Sequence, residues 1–168
     1  MAHDANTPTQ TEGAANASAL FTIGNLAVFH WALYWLMNGL DKFVNRTDLG
    51  IFTWYGKDRA EQFGGYFDKA AVPESLLHPL LYLTGIVEFL VFIPMALVLQ
   101  QVVLRGVVSR RLFETGFFWS AAIFTGFSFF DVIFGDRAEL WEHGTFLIGV
   151  LICYKLAKDE FETKGRFV

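Results

Sequence analysis

The chain has 168 residues, of which 54% are apolar, and its mean hydropathy of +0.37 is high for a water-soluble domain of this length. Its 13 basic and 17 acidic residues give a net charge of −4, so the sequence lacks the basic surface that neutralises phosphates and excludes nucleic acid as a partner. The single cysteine, Cys153, excludes an intrachain disulfide and a cluster of thiolate metal ligands.

Residues 1–18 are polar and contain no Lys or Arg, so they lack the basic n-region of a signal peptide. Their composition predicts a flexible tail that stays on the mature protein. Four apolar stretches follow, and each approaches the roughly 20 residues that a membrane-spanning helix needs. The sequence therefore predicts an all-α fold, a four-transmembrane-helix bundle within residues 19–157, followed by a charged C-terminal tail at 158–168. The predicted helices cover residues 20–43, 79–99, 112–134 and 140–157.

A loop of about 35 residues separates the first two predicted helices and contains several aromatic residues among mixed charges. Residues 59–69 are predicted to form a short helix whose aromatic face rests at the level of the lipid headgroups. A loop this long with so many rings is expected to fold over the bundle. It is therefore predicted to be a long, partly ordered first extracytoplasmic loop.

The basic residues near the helix ends set the expected orientation. The short loop between the second and third helices carries Arg105, Arg110 and Arg111 and no acid, whereas the basic residues of the first loop are outnumbered by acids. The compact basic loop is therefore placed on the cytoplasmic side. A multi-pass protein of the bacterial inner membrane with both termini in the cytoplasm is predicted.

Polar residues recur inside the apolar helices. On helix one, His30, Tyr34, Asn38 and Asp41 are spaced by four, four and three residues, so they share one face that is expected to look into the bundle. A lone acid, Glu88, interrupts helix two, and its cost inside a membrane requires protonation or a partner. Lys42, His143 and His30 are the candidate partners for Glu88. The helices also contribute Asp131, Glu139, Glu142 and His143, and together these groups predict a polar pocket that opens outward.

Each of these residues has a plainer interpretation. Glu88 can act as polar glue between helices, and Asp131, Glu139 and Glu142 can be solvated helix ends. Trp35 lies deeper than a normal aromatic belt, so it either packs in the core or stacks on a flat ligand. His30 can be a neutral core histidine.

The possibility of a metal or haem follows from the same residues. Glu139, Glu142 and His143 lie within one turn, but a di-iron bundle needs matching Glu-x-x-His elements on other helices, and the sequence has none. No metal site is therefore predicted. His30 and His143 as axial ligands of one haem are a less favoured alternative.

Two short segments each combine a glycine with a charged residue three positions later. Asn38-Gly-Leu-Asp-Lys-Phe43 supplies Gly39 and Lys42 of a Gly-x-x-Lys element, and Tyr82-Leu-Thr-Gly-Ile-Val-Glu88 supplies Gly85 and Glu88 of a Gly-x-x-Glu element. These segments resemble the DoxX-like family of small four-helix membrane proteins. The resemblance implies a family that includes a small subunit of a quinone-linked oxidase or thiosulfate:quinone oxidoreductase, together with assembly factors.

The leading hypothesis is an accessory integral-membrane subunit of a quinone-linked or respiratory redox complex, not catalytic by itself, whose partners are the bilayer and other membrane subunits. One alternative is a non-catalytic assembly or structural subunit, and a second is a small proton-coupled carrier. Quinone is the candidate cofactor. The residues expected to contact it are Glu88, His30, Asn38, Trp35 and His143, beside a polar cluster of Asp41, Lys42, Asp131, Glu139 and Glu142.

Overall fold

The computed structural model describes residues 20–168, so the tail predicted for residues 1–18 lies outside the described residues. The described chain is all-α, as predicted, apart from one small hairpin. Its helices are α1 (Ile23–Val44), α2 (Arg59–Ala70), α3 (Leu77–Arg105), α4 (Arg110–Phe134) and α5 (Arg137–Thr163). The hairpin strands are β1 (Thr47–Asp48) and β2 (Thr53–Trp54), and a 3₁₀ turn, Glu74–Leu76, precedes α3.

The four long helices pack as an antiparallel bundle in which α1 and α4 each contact both α3 and α5. The centre is aromatic and aliphatic, and Trp35 and Phe124 are completely buried there. The indole Nε1 of Trp35 on α1 donates to Ser120 Oγ on α4 at 2.8 Å, which joins the two helices that face each other across the bundle. The same contact satisfies a polar group that would otherwise be buried without a partner.

Local chemistry explains where these helices begin and end. The side chain of Asp58 accepts from Glu61 N at the start of α2, and that of Asp136 accepts from Glu139 N at the start of α5. Gly106 and Gly135 end α3 and α4 with φ of 67° and 73°, a left-handed conformation that glycine adopts without strain. Because of these left-handed glycines, the chain reverses direction and the next helix begins within a few residues.

Within residues 20–168, two helical segments are long and apolar enough to cross a membrane, Glu74–Arg105 and Arg110–Phe134. The other two long helices, α1 and α5, lack a stretch that is apolar enough over this length. Asn25, His30 and Asn38 interrupt the apolar surface of α1, and α5 carries charged residues in its first and last turns.

The end of the bundle that holds the C-terminus is closed by the last residues of the chain. The helix α5 extends six residues beyond the predicted end at 157, to Thr163, and Phe161 is completely buried. The N–H of Val108 in the α3–α4 loop donates to Arg166 O at 2.8 Å, and the N–H of Val168 donates to Val108 O at 3.0 Å. Residues 158–168 therefore pack on the bundle and are part of its fold.

Candidate functional site

The contact between α1 and α3 is close because a glycine lies on each side of it. A Cβ added to Gly85 on α3 would meet the carbonyl oxygen of Gly39 on α1 at 3.2 Å, and one added to Gly39 would meet the ring of Phe89 at 2.9 Å. Real Cβ atoms have no room at such distances. Since α1 and α3 run antiparallel, each glycine lies opposite the polar end of the other segment, Gly85 against Lys42 and Gly39 against Phe89, the neighbour of Glu88. The two glycines thus keep the backbones close on both sides of the polar residues.

Those polar residues, Lys42 and Glu88, form a buried ion pair. The Nζ atom of Lys42 donates to Glu88 Oε1 at 2.8 Å, and their side chains are only 5% and 3% exposed. Two charges held this far from water require each other, since neither is solvated. The second carboxylate oxygen, Glu88 Oε2, is buried and has no hydrogen-bond partner among the described residues.

A second polar cluster joins α4 and α5. His143 Nδ1 lies 2.7 Å from Asp131 Oδ2, while its Nε2 lies 3.7 Å from Glu139 Oε2, beyond hydrogen-bond distance. Glu139 is buried and also pairs with two cations from the first loop, Lys57 and Arg59, the latter at 3.3 Å. The loop therefore supplies the positive charges that balance Glu139 on α5, while Asp131 on α4 contacts His143.

The helix α2 carries a further link between the loop and the bundle. The hydroxyl of Tyr66 donates to Asp136 Oδ2 at 2.7 Å, and Gln62 Nε2 donates to that hydroxyl at 2.7 Å. Burial, followed by the hydrogen bond to Asp136, raises the pKa of Tyr66 to about 12. The phenol therefore stays neutral and remains a hydrogen-bond donor.

Both polar clusters lie in the wall of one cavity of about 350 Å³, situated between the end of the bundle and α2. A volume of this size holds a small organic molecule. The wall is largely apolar and aromatic, with a few converging polar groups. Its lining includes Tyr34, Asn38, Lys42, Arg59, Gln62, Phe63, Tyr66, Phe67, Thr84, Glu88, Phe127, Phe130, Asp131, Phe134, Glu139 and His143.

An apolar groove between α3 and α4 adjoins this cavity. The α3–α4 groove has a volume of about 270 Å³, and Leu83, Val87, Ile123 and Gly126 contribute to its lining. It shares part of its wall with the cavity, so the two spaces lie side by side. The shared residues are Leu80, Thr84, Glu88, Phe127 and Phe130.

The loop is fastened to the end of α1 by Asp41. Its Oδ1 accepts from Trp54 Nε1 at 2.6 Å and from Asn45 Nδ2 at 3.1 Å, while Lys57 N approaches Oδ2 at 3.4 Å. Asn45 Nδ2 also donates to Lys57 O at 2.8 Å. Gly56 lies directly against this carboxylate, with φ of 48°, and a Cβ there would fall 1.8 Å from Asp41 Oδ1.

Replacing Gly56 with alanine is expected to detach this loop, because the added methyl group occupies the space of the Asp41 carboxylate. Losing these hydrogen bonds should cost about 1–2 kcal/mol of docking free energy, or on the order of a tenfold rise in tryptic cleavage after Lys57 and Arg59. Gly50→Ala is the matched control. Gly50 also has a positive φ, 84°, but an added Cβ there meets nothing within 4 Å. Equal cleavage of the two variants would show that the backbone strain common to both, and not a clash with Asp41, loosens the loop.

The structure brings together six of the residues expected at the site from sequence. They line the cavity and are Asn38, Lys42, Glu88, Asp131, Glu139 and His143. Of the three partners considered for Glu88, Lys42 is the one that pairs with it.

The other four lie elsewhere in the described structure. Trp35 is completely buried and bonded to Ser120, so no ligand reaches its ring. His30 is exposed on the outer surface because its neighbour Trp31 fills the interior at that level, and it is absent from the cavity wall that holds His143. Asp41 fastens the loop, and Glu142 is exposed.

Sequence reasoning missed the contribution of α2 to the cavity. Arg59, Gln62 and Tyr66 all line it, whereas the aromatic face of this helix was expected to rest on lipid headgroups. The amphipathic pattern located the helix, but the surface that it covers was not evident from the pattern.

The chain matches no protein-family model, no curated protein and no solved structure, so its function has to be inferred from the geometry of the site itself.

Proposed function

We propose that this chain is a four-span integral membrane protein that binds a quinone in the cavity and serves as an accessory subunit of a quinone-linked redox complex. The observation that carries the proposal is the cavity itself. The cavity has largely aromatic walls and contains the buried ion pair of Lys42 and Glu88. It adjoins the apolar groove between α3 and α4, the two helices most suited to cross a membrane.

The outer surface of the bundle supports four spans. All four long helices, including α1 and α5, expose large apolar side chains. Apolar surface of this extent is unusual on a protein surrounded by water and suits contact with lipid. Examples are Ile23, Leu26, Phe29 and Leu33 on α1 and Ile148, Leu151, Ile152 and Leu156 on α5.

The orientation with both termini in the cytoplasm predicts a labelling pattern. In a Cys153→Ser background, Ile51→Cys should react with an impermeant maleimide added to intact cells, because Ile51 is 90% exposed in the hairpin. Val168→Cys lies at the opposite end of the bundle and should react only after the membrane is opened. The reverse pattern would contradict the proposed topology.

The chemistry of the cavity suits a quinone ring. The ring is flat and apolar on both faces, which matches walls formed by Tyr34, Phe127 and Phe130, while its polar oxygens need the few hydrogen-bonding groups that Lys42 and Glu88 provide. The isoprenoid tail of a quinone is apolar and matches the α3–α4 groove. A quinone exchanges electrons only with a redox partner, so the proposal includes a partner subunit that carries the electron-transfer centre.

Purification of the tagged chain from its native membrane in a mild detergent tests this proposal. We expect oxidoreductase subunits and an extractable quinone to copurify with it. Copurification without any oxidoreductase subunit would contradict the accessory role and favour an assembly or structural subunit. Proton-coupled flux into liposomes that is lost in Glu88→Gln would favour a carrier instead.

A further inference from the structure

One carboxylate oxygen in the site has no hydrogen-bond partner in the part of the chain that the structure describes. Glu88 is 2% exposed, and its Oε1 accepts from Lys42, but its Oε2 has no hydrogen-bond donor among the described residues. A buried carboxylate oxygen without a donor is costly, and nearly all such oxygens in proteins are satisfied. Because Glu88 lines the cavity, a molecule bound there can supply the missing donor to Oε2.

Lys42, beside Glu88, limits which polar group of a bound molecule can contact the ion pair. The ammonium of Lys42 carries three N–H donors, and its one hydrogen bond within residues 20–168 is to Glu88. A ligand group placed on this ion pair therefore meets an acceptor, Glu88 Oε2, beside a donor, Lys42 Nζ. A hydroxyl group both donates and accepts, so it satisfies the two together. A carbonyl group accepts from Lys42 but leaves Glu88 Oε2 without a donor.

The groove indicates where the rest of such a molecule lies. Glu88 is shared by the walls of the cavity and the α3–α4 groove, so a molecule whose head contacts Glu88 can extend its apolar part along the groove. Gly126 leaves open space there, since an added Cβ would meet nothing within 4 Å. The remaining lining, including Leu83, Val87 and Ile123, is apolar.

From these contacts we infer that the site is selective for the reduced form of its quinone. The quinol hydroxyl donates to Glu88 Oε2 and accepts from Lys42 Nζ, and the tail lies in the α3–α4 groove. The inference rests on the proposed function, because it takes the ligand to be a quinone, and it adds the redox state that binds. Oxidised quinone binds more weakly because its carbonyl cannot donate to Glu88.

Binding of decylubiquinol and decylubiquinone to the full chain in lipid nanodiscs tests the inference. The quinol is expected to bind about tenfold or more tightly than the quinone, as befits one hydrogen bond to a charged acceptor. Glu88→Gln should bring the ratio close to one, because the amide can donate to a carbonyl as well as accept from a hydroxyl. Glu142→Gln, an acid exposed on the outside of α5, should keep the wild-type ratio.

A second variant, Gly126→Leu, tests the site in the groove and can be used even if Glu88→Gln assembles poorly. Gly126→Leu fills the groove from an open helical position and should weaken binding of both molecules while keeping their ratio. Equal affinities in the wild-type chain, or an unchanged ratio in assembled Glu88→Gln, would overturn the redox selectivity alone. Binding of neither molecule to the wild-type chain would overturn the proposed function and this inference with it.

Discussion

Replacing Glu88 with leucine is expected to lower the free energy of unfolding by about 3–5 kcal/mol, because the ammonium of Lys42 is then buried without its carboxylate. The side chains of both residues are almost fully removed from solvent, so water cannot replace the lost partner. The double variant Lys42→Met/Glu88→Leu should recover most of the loss, since two apolar side chains of similar size need no charge partner. Titration of the purified chain with SDS in detergent micelles measures these differences.

Glu142→Leu provides the matched control for the ion pair. Glu142 lies on α5 near the same end of the bundle but is exposed, so its replacement should change the unfolding free energy by less than about 0.5 kcal/mol. A double variant no more stable than Glu88→Leu alone would contradict the ion pair as the reason that Glu88 is needed.

Gly85→Ala is expected to disrupt the site through the backbone. The added Cβ would fall 2.7 Å from the ring of Phe43, 3.1 Å from Lys42 Cβ and 3.2 Å from the carbonyl oxygen of Gly39. A ring can rotate, but the carbonyl belongs to the α1 helix and cannot give way alone, so α1 and α3 must move apart. Overpacking of this kind costs about 1–3 kcal/mol of unfolding free energy. The separation should also lengthen the Lys42–Glu88 contact and weaken decylubiquinol binding.

Gly144→Ala separates this effect from helix propensity. Gly144 lies inside α5, and an added Cβ meets nothing within 4 Å, so alanine there should be neutral or stabilise the helix by up to about 1 kcal/mol. If Gly85→Ala were as stable as Gly144→Ala and bound the quinol normally, the close approach of α1 and α3 would not be what positions the ion pair.

Most helices of this fold can be predicted from sequence because their signals are local. Four apolar stretches mark α1, α3, α4 and α5, and capping and glycine residues lie within a few positions of their ends. The pairing of Lys42 with Glu88 was one of three predicted options. Because α1 and α3 run antiparallel, the two motifs overlap, with Gly85 against Lys42 and Gly39 against Phe89, the neighbour of Glu88. This overlap places the Lys42 side chain within reach of Glu88.

The burial of the acids in the polar cluster of α4 and α5 could not be predicted from the sequence. Asp131 and Glu139 near helix ends had a plainer interpretation as solvated groups, yet both are buried in the structure. The reason is the loop, which brings Lys57 and Arg59 over that end and covers the acids. The position of the loop depends on the Asp41 carboxylate in α1, which accepts hydrogen bonds from Trp54 and Lys57, 13 and 16 residues later in the chain. Such contacts leave no periodic pattern in the sequence.

The burial of Trp35 likewise depends on a contact with a residue that is distant in sequence. Its depth in α1 was compatible with stacking on a ligand or with packing, and the difference depends on Ser120, which lies 85 residues away in sequence. An indole bonded across the bundle cannot also face a cavity. The aromatic wall of the site comes instead from Tyr34 of α1 and from residues of α2 and α4 such as Phe63 and Phe127.

Photolabelling with an azidoquinone in native membranes tests the central claim most directly. If the cavity and the α3–α4 groove bind a quinone, the label should map to peptides of α3 and α4 that contain Glu88, Phe127 or Phe130, and excess unlabelled quinol should abolish it. The Gly126→Leu variant should lose this label. Labelling that falls only on the outer apolar faces of α1 and α5, or that persists in Gly126→Leu and with excess quinol, would contradict a quinone site in this protein.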